Sequence, residues 1–246
     1  VYSHSAGNQS EQPEWLRERL EWVQDQKFGL IFHWGPYSQW DCLESWGLTP
    51  EDEWARNDDM ECWTSRGKDL SRFQQDYFAL NKTFNPTEFD PEEWAEIVQG
   101  SGAKYLAFTT KHHDGFCMWD TKTTDYKITG TDCLFGIDPF KGLTRSLQNR
   151  GIGVTAYFSK ADWHCTDYWA PDLPIVDRHA NTVHEPARWK RFVDYTHEQI
   201  RELMSGYGKI DVLWLDAGWV KGEEDIDMAG LVEMARRLQP GLIVAN

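Results

Sequence analysis

Short apolar runs alternate with amphipathic segments along this chain of 246 residues, and this alternation constrains the fold more than any other feature. Each run is apolar almost throughout, which is typical of a strand that is covered on both faces. The segments between them repeat apolar residues at helical spacing. Strands that alternate with helices predict parallel βαβ units in an α/β protein. The five predicted strands span residues 28–34, 105–110, 152–159, 211–216 and 242–246.

The predicted helices carry their own start and stop signals. Pro13 begins the first helix, and Asp90 is a predicted N-cap before Pro91 at the start of another, which Gly100 and Gly102 end. A loop as long as the one after the first strand is usually functional. The other predicted segments are a disordered or extended lead-in over 1–11, that loop over 35–67, and helices around 73–80, 143–147, 189–203 and 226–238.

A doubly wound open sheet and a (β/α) TIM-like barrel both satisfy this alternation. In a barrel, polar residues gather where several different strands end. His33, His112, Tyr157 and Asp216 lie at or just after four predicted strands, and no glycine-rich nucleotide-binding motif follows the first strand. We therefore predict a barrel. Because five strands are too few to close it, we expect residues 1–246 to be one catalytic domain that is truncated before the last strands.

Composition narrows the classes of partner. The net charge of −15 disfavours nucleic acid and anionic membranes, and no apolar stretch reaches the roughly 18 to 20 residues of a membrane span. The 14 tryptophans favour carbohydrate, because flat indole rings suit the C–H faces of sugars. The five cysteines include no CxxC pair, so they predict no zinc motif, and their pairing stays open.

Asp216 ends the run DVLWLDAGW, where strand packing does not require a carboxylate. A helix cap or loop residue is the ordinary interpretation. Trp214 and Trp219 flank it, however, as around a nucleophile in an apolar sugar pocket. A glycosidase uses such a carboxylate to attack the anomeric carbon.

Three histidines are candidate ligands: His112 and His113 in TKHHDGFCMW, and His33 in FHWGPYS. Neutral imidazoles both donate and accept hydrogen bonds, as sugar hydroxyls do. Buried core histidines are the ordinary alternative. With Asp216 they could also hold a metal, so a metal-dependent hydrolase on a barrel stays open. No cysteine or carboxylate lies at ligand spacing on the strand of His112, and we therefore predict that the histidines bind no metal.

Four segments together resemble glycoside hydrolase family 29, the α-L-fucosidases, over residues 15–246. They are KFGLIFHWGPYS, YLAFTTKHHDGFCMWDTKTTDY, AYFSKADWH and IDVLWLDAGW, in the order of the family's motifs. The resemblance implies a retaining hydrolase that removes terminal α-L-fucose from oligosaccharides or glycoconjugates through a covalent intermediate. It implies no cofactor. It also implies a β-sandwich domain after the barrel and a location outside the cytoplasm: periplasmic, secreted or lysosomal.

The resemblance also implies roles for individual residues. Asp216 matches the nucleophile, and Glu44 matches a glutamate that is the acid/base in some members. One serine separates Glu44 from Trp46, where many members have the two adjacent. In most members the acid/base lies well downstream of the nucleophile, which here means beyond Asn246. A catalytically silent sugar-binding barrel therefore also stays open. The expected substrate-binding residues are His33, Trp46, His112, His113 and Tyr157. We also expect Trp214, beside the nucleophile, to bind substrate.

Overall fold

The computed structural model describes residues 13–168 and 185–246, and one five-stranded parallel sheet lies at its centre. The strands are β1 (Leu30–Phe32), β2 (Tyr105–Lys111), β3 (Gly153–Ser159), β4 (Val212–Asp216) and β5 (Ile243–Ala245). They are neighbours in the order in which they occur in the chain, and every pair is parallel. A doubly wound sheet reverses its order at a switch point, whereas a barrel does not. The predicted incomplete (β/α) barrel is confirmed.

Helices connect the strands and cover one face of the sheet. The predicted cap at Asp90 is confirmed, because its Oδ1 accepts hydrogen bonds from the backbone N–H groups of Glu92 and Glu93 at 2.8 and 3.2 Å. The helices of the described residues are α1 (Glu14–Gln26), α2 (Glu61–Thr64), α3 (Leu70–Phe78), α4 (Pro91–Gly100), α5 (Pro139–Asn149), α6 (Pro186–Gly206) and α7 (Met228–Leu238). None of the helices in this part of the chain has both the length and the apolar character of a membrane span.

The two faces of the sheet differ because strand side chains alternate. Leu106, Phe108 and Phe158 belong to the face that packs under the helices, and all three are buried. Ile31 and Trp214 belong to the opposite face, the barrel interior, and are 42% and 38% exposed. That interior face bounds a cavity of about 260 Å³. Further along each strand, the side chains on this interior face reach the carboxyl ends of the strands.

Helix α1 closes the other end of the sheet. Arg19 on this helix donates to the carbonyl oxygen of Gly241 at 2.9 Å and to Asp211 Oδ1 at 3.1 Å, and these residues precede β5 and β4. A Cβ on Gly153, the first residue of β3, would lie 3.1 Å from the Trp22 ring. The amino ends of the strands are thus occupied by a helix, and their carboxyl ends stay free for a site.

Some boundaries differ from those predicted. The first strand is shorter than 28–34 and spans Leu30–Phe32. Phe28 before it is exposed, and Gly29 passes against the Tyr105 ring, where a Cβ would lie 2.3 Å from it. The predicted loop over 35–67 contains three short 3₁₀ turns and α2. The predicted lead-in over 1–11 lies outside the described residues. All five cysteines are free thiols.

Candidate active site

Neighbouring strands place polar side chains on the interior face at their carboxyl ends. In the sheet register Thr109 of β2 lies beside Tyr157 of β3, and Ser159 lies beside Asp216 of β4. His33 follows β1 directly and continues the same face. Because parallel strands share one carboxyl edge, residues that are far apart in sequence meet there.

Asp216 lies at the centre of this group. The Tyr157 hydroxyl donates a hydrogen bond to Asp216 Oδ2 at 2.5 Å, and His113 Nε2 lies 4.0 Å from the same oxygen. Burial raises the pKa of Tyr157, and the charge of Asp216 and the hydrogen bond to it raise that pKa further. Tyr157 therefore stays protonated and acts as a donor toward the carboxylate.

His33 presents its Nε2 to the site. Its Nδ1 lies 2.7 Å from Thr109 Oγ1, and that hydroxyl donates its proton to the carbonyl oxygen of Phe32 at 3.0 Å. The Thr109 oxygen therefore accepts a hydrogen bond from Nδ1–H, which leaves Nε2 as an acceptor in the neutral ring. Burial lowers the pKa of His33, and the opposing effect of Glu44 is smaller. The ring is accordingly neutral at neutral pH.

A bulge in β2 turns both histidines of the pair into the site. The register shifts between Thr109 and Lys111, so Lys111 pairs with Phe158 on the face that packs under the helices. His112 then returns to the interior, where its ring stacks against Tyr157 at 5.9 Å between centroids. The sequence alone could not decide whether both histidines reach the pocket; the bulge explains why they do.

Hydroxyl groups orient the rings of this pair. His112 Nδ1 lies 2.5 Å from Ser45 Oγ, and its Nε2 lies 3.2 Å from Glu44 Oε2. His113 Nδ1 lies 2.6 Å from Ser159 Oγ, which donates onward to the carbonyl oxygen of Ala161 at 2.9 Å. Each ring is held at Nδ1, and its Nε2 faces a carboxylate.

Glu44 joins the loop after β1 to the histidines. It is half-buried, with a backbone φ of 50°, in the left-handed region that non-glycine residues rarely occupy. Its carboxylate lies 3.7 Å from His33 Nε2 and accepts a hydrogen bond from Trp46 Nε1 at 3.0 Å. Burial by itself would raise the pKa of Glu44, but the hydrogen bond and charge of His112, with His33 and Trp46, bring it below the ordinary value. Glu44 is thus ionised at neutral pH.

Trp46 forms an aromatic wall beside the histidines. Its ring meets that of His113 edge-on at 4.6 Å between centroids. Trp163 and Trp219 pack against Trp46 at 6.1 and 5.8 Å. Such a wall presents apolar surface next to polar groups, as sugar pockets do.

Trp214 lies on the interior face of β4, two residues before the carboxyl end of that strand. It pairs in register with Tyr157 and packs edge-on against its ring at 5.5 Å. Its side chain also lines the interior cavity with Ile31 and Thr155. The structure therefore places Trp214 beside Tyr157, two residues before Asp216 on β4, with its side chain on the interior cavity.

A buried ion pair supports the loops behind the site. Lys111 Nζ lies 3.1 Å from Asp162 Oδ2, and both side chains are almost fully inaccessible. Gly115 makes room for this pair: its φ is 78°, and a Cβ there would lie 2.1 Å from Asp162 Oδ1. The pair joins the residue before His112 to the loop after β3.

Sequence reasoning did not identify the hydroxyl residues Ser45, Thr109 and Ser159, which orient the three histidines. The signal that would have found them is register, since Thr109 and Ser159 occupy interior positions near strand ends. Three predicted site residues also form a set that could hold a metal ion. One ligand atom from each of His33, Glu44 and His112 lies within 4.8 Å of the others.

The site combines an aspartate, a glutamate and three histidines at the carboxyl ends of parallel strands. This is the architecture of a glycoside hydrolase built on a (β/α) barrel. The chain belongs to the α-L-fucosidases, glycoside hydrolase family 29, because the family model described as Alpha-L-fucosidase matches residues 3–246.

Individual relatives agree with this family. The α-L-fucosidase of Dictyostelium discoideum is 27% identical over 212 residues, which cover 81% of this chain and 42% of that protein. Human tissue α-L-fucosidase is 28% identical over 220 residues, which cover 84% of this chain and 42% of that protein. The chain thus spans about two fifths of the length of these relatives.

Solved structures share the fold. α-L-Fucosidase isoenzyme 1 from Paenibacillus thiaminolyticus has 31% sequence identity and a TM-score of 0.69, over 94% of this chain and 50% of that one. A family 29 α-L-fucosidase from Bacteroides thetaiotaomicron, solved as a trapped covalent intermediate with 2-fluoro-fucosyl fluoride, has 25% identity and a TM-score of 0.70. That match covers 97% of this chain and 50% of the other.

Proposed function

We propose that the whole protein is a retaining α-L-fucosidase that removes terminal α-L-fucose from fucosylated glycans, with Asp216 as its nucleophile. The observation that carries the proposal is the position of Asp216 on β4, hydrogen-bonded to Tyr157 and faced by His113. The covalent intermediate of the Bacteroides thetaiotaomicron relative supports it, because a covalent intermediate is characteristic of the retaining route.

The proposed reaction has two steps. An Asp216 carboxylate oxygen forms a bond to C1 of fucose while the glycosidic C1–O bond breaks, and a protonated carboxylic acid gives its proton to the departing oxygen. That acid, now a carboxylate, then takes a proton from water, whose oxygen attacks C1 and releases Asp216. Tyr157 donates to the Asp216 carboxylate and holds it in place for both attacks.

The remaining site residues bind the sugar in this proposal. Neutral His33 offers an acceptor at Nε2, whereas the carboxylate of Glu44 accepts hydrogen bonds from hydroxyl groups. The histidine pair contributes further hydrogen bonds, and the Trp46 ring contacts an apolar face of fucose. The lowered pKa of Glu44 supports this binding role over that of general acid, since an acid must hold its proton near neutral pH.

The test is hydrolysis of a chromogenic α-L-fucoside by the whole protein, with the anomeric configuration of the first-formed fucose read by NMR. We expect release of the chromophore and α-L-fucose as the initial product. An initial β-anomer would contradict the retaining mechanism. Absence of hydrolysis, together with saturable fucose binding, would instead support the sugar-binding barrel.

A metal-dependent hydrolase is the second candidate, because His33, Glu44 and His112 can bring their ligand atoms together. In the structure Glu44 already lies 3.2 Å from His112 Nε2, which suits an N–H donor rather than a free lone pair. Activity that is lost in EDTA and restored by zinc would favour this candidate.

Family membership also supports the proposal that the protein works outside the cytoplasm and that the domain over residues 1–246 is followed by a β-sandwich domain. Fractionation of the native cells and a structure of the whole protein are the corresponding tests.

A further inference from the structure

An exposed tryptophan stands beside the wall of the pocket. Trp54 lies on the turn Glu53–Ala55, between β1 and α2, and is 59% exposed. Its ring centroid nevertheless lies 5.8 Å from that of Trp46, the residue that packs on His113. The two indoles form a continuous aromatic surface that begins inside the pocket and ends in solvent.

The loop holds Trp54 in a fixed position. Its Nε1 donates to Asp52 Oδ1 at 3.0 Å, and Asp52 also accepts a hydrogen bond from the Thr49 hydroxyl. The Arg56 guanidinium donates to the carbonyl oxygens of Gly47 and Thr49 at 2.7 and 2.5 Å. An indole whose edge is tied in this way presents its ring without a large loss of side-chain entropy on binding.

Packing within the described residues does not account for this exposure. A large apolar side chain gains free energy from burial, and the buried neighbours Ala55 and Leu48 on the same loop show that the loop has an inward side. Trp54 points away from that side. An exposed, ordered aromatic ring beside a sugar pocket suits the C–H face of a pyranose.

We propose that Trp54 is the platform for the sugar that carries the fucose: when fucose occupies the pocket, the neighbouring hexopyranose stacks on the Trp54 indole. The inference rests on the proposed function and extends it to the leaving group. Glu51, Asp52 and Glu53 precede Trp54 directly, so the platform lies in a negatively charged segment. It therefore suits neutral hexoses and disfavours sialylated or sulfated ones.

The experiment compares two kinds of substrate for the whole protein. α-L-Fucosyl fluoride has a leaving group without a sugar, and a panel of neutral fucosylated di- and trisaccharides has a hexose at that place. For Trp54→Ala, we expect kcat/KM for the best glycoside to fall about 10-fold more than kcat/KM for the fluoride. Trp54→Phe, which keeps an aromatic face, should restore most of this difference.

Trp15→Ala is the matched control, because Trp15 is also an exposed tryptophan, at 39%, but lies on α1 at the opposite end of the sheet. It should leave the ratio of the two kcat/KM values as in the wild type. Adding a sulfate to the hexose of the best glycoside should lower its kcat/KM in the wild type.

Three outcomes would overturn the platform. Trp54→Ala could lower kcat/KM equally for both kinds of substrate, which would indicate a structural role, or it could lower kcat/KM for neither. The wild type could also cleave the fluoride and none of the glycosides, so that no hexose is accepted while the proposed function stands. A wild type that cleaves neither kind of substrate would overturn the proposed function itself.

Discussion

The Tyr157 hydroxyl and the Asp216 carboxylate are joined by a hydrogen bond of 2.5 Å across the neighbouring strands β3 and β4. Both residues lie on the interior face, and their separation is fixed by the parallel register that places Ser159 beside Asp216. A carboxylate held in this way keeps one orientation without help from a mobile loop. Strands, rather than loops, therefore determine the geometry of the proposed nucleophile.

Removing the Asp216 carboxylate should abolish the covalent route. For Asp216→Gly we expect kcat on a chromogenic fucoside to fall by about three orders of magnitude or more, while the fold survives, because the side chain is partly exposed and packs no core. Azide should partly restore turnover and give β-L-fucosyl azide, since the anion attacks C1 from the vacated side. A folded variant with near wild-type kcat would contradict the assignment.

The Tyr157 hydroxyl should contribute to activity through its hydrogen bond to Asp216. Tyr157→Phe keeps the ring and removes one donor to a charged group, so we expect kcat/KM to fall by about 10- to 100-fold. Tyr207→Phe is the matched control, because the Tyr207 hydroxyl donates to the Asp138 carboxylate at 2.7 Å far from the site. If both variants lose activity to the same extent, the Tyr157 hydroxyl has no specific role.

Glu44 can be tested with leaving groups of different quality. If Glu44 binds a fucose hydroxyl, Glu44→Gln should lower kcat/KM by a similar factor for a nitrophenyl fucoside and for a fucosylated sugar. A general acid is needed mainly for the poor leaving group. A selective loss on the sugar substrate, with azide giving α-L-fucosyl azide, would make Glu44 the acid/base instead.

Lowering the pH should destabilise the folded protein through protonation of His33. Burial lowers the pKa of His33 below its ordinary value of 6.5, so the folded protein favours the neutral ring. The resulting contribution to stability is complete above about pH 6.5 and is lost as pH falls through the lowered pKa. We expect the melting temperature to decrease over that range, and to decrease less in His33→Asn. Equal decreases in the two proteins would contradict this prediction.

Much of the framework was predictable from the sequence because it depends on local pattern. Apolar runs placed the five strands to within a few residues, and Asp90 before Pro91 located the start of α4. His33 and Asp216 stood out because packing does not require a polar side chain at the end of an apolar run. The structure brings these two residues to the same edge of the sheet.

The partners of these residues could not be predicted, because they depend on register and on contacts between distant segments. A threonine such as Thr109 in a strand looks like ordinary packing until the pairing shows that it lies beside His33. The bulge after Thr109 leaves no signal in TTKHH. Trp46 forms an aromatic wall because it contacts Trp219, which lies 173 residues later in the chain, and such a distant contact has no signal in the sequence.

The buried Lys111–Asp162 pair should be essential to stability rather than to the chemistry itself. Both side chains are inaccessible, and Asp162 also accepts hydrogen bonds from the backbone N–H groups of His164 and Cys165 at 3.1 and 2.8 Å. Removing the ammonium leaves an uncompensated charge in the interior, so Lys111→Met should lower the free energy of unfolding by about 3 to 5 kcal/mol.

The matched control for this change is Lys190→Met, which breaks an ion pair of 2.7 Å with Asp194 on the exposed face of α6. Because exposed pairs contribute little, we expect a change below about 0.5 kcal/mol. Urea denaturation followed by tryptophan fluorescence measures both. Since Lys111 precedes the histidine pair, the variant should also raise KM for a fucoside at temperatures where it is still folded. Equal stability losses in the two variants would show that the buried pair does not anchor the loops behind the site.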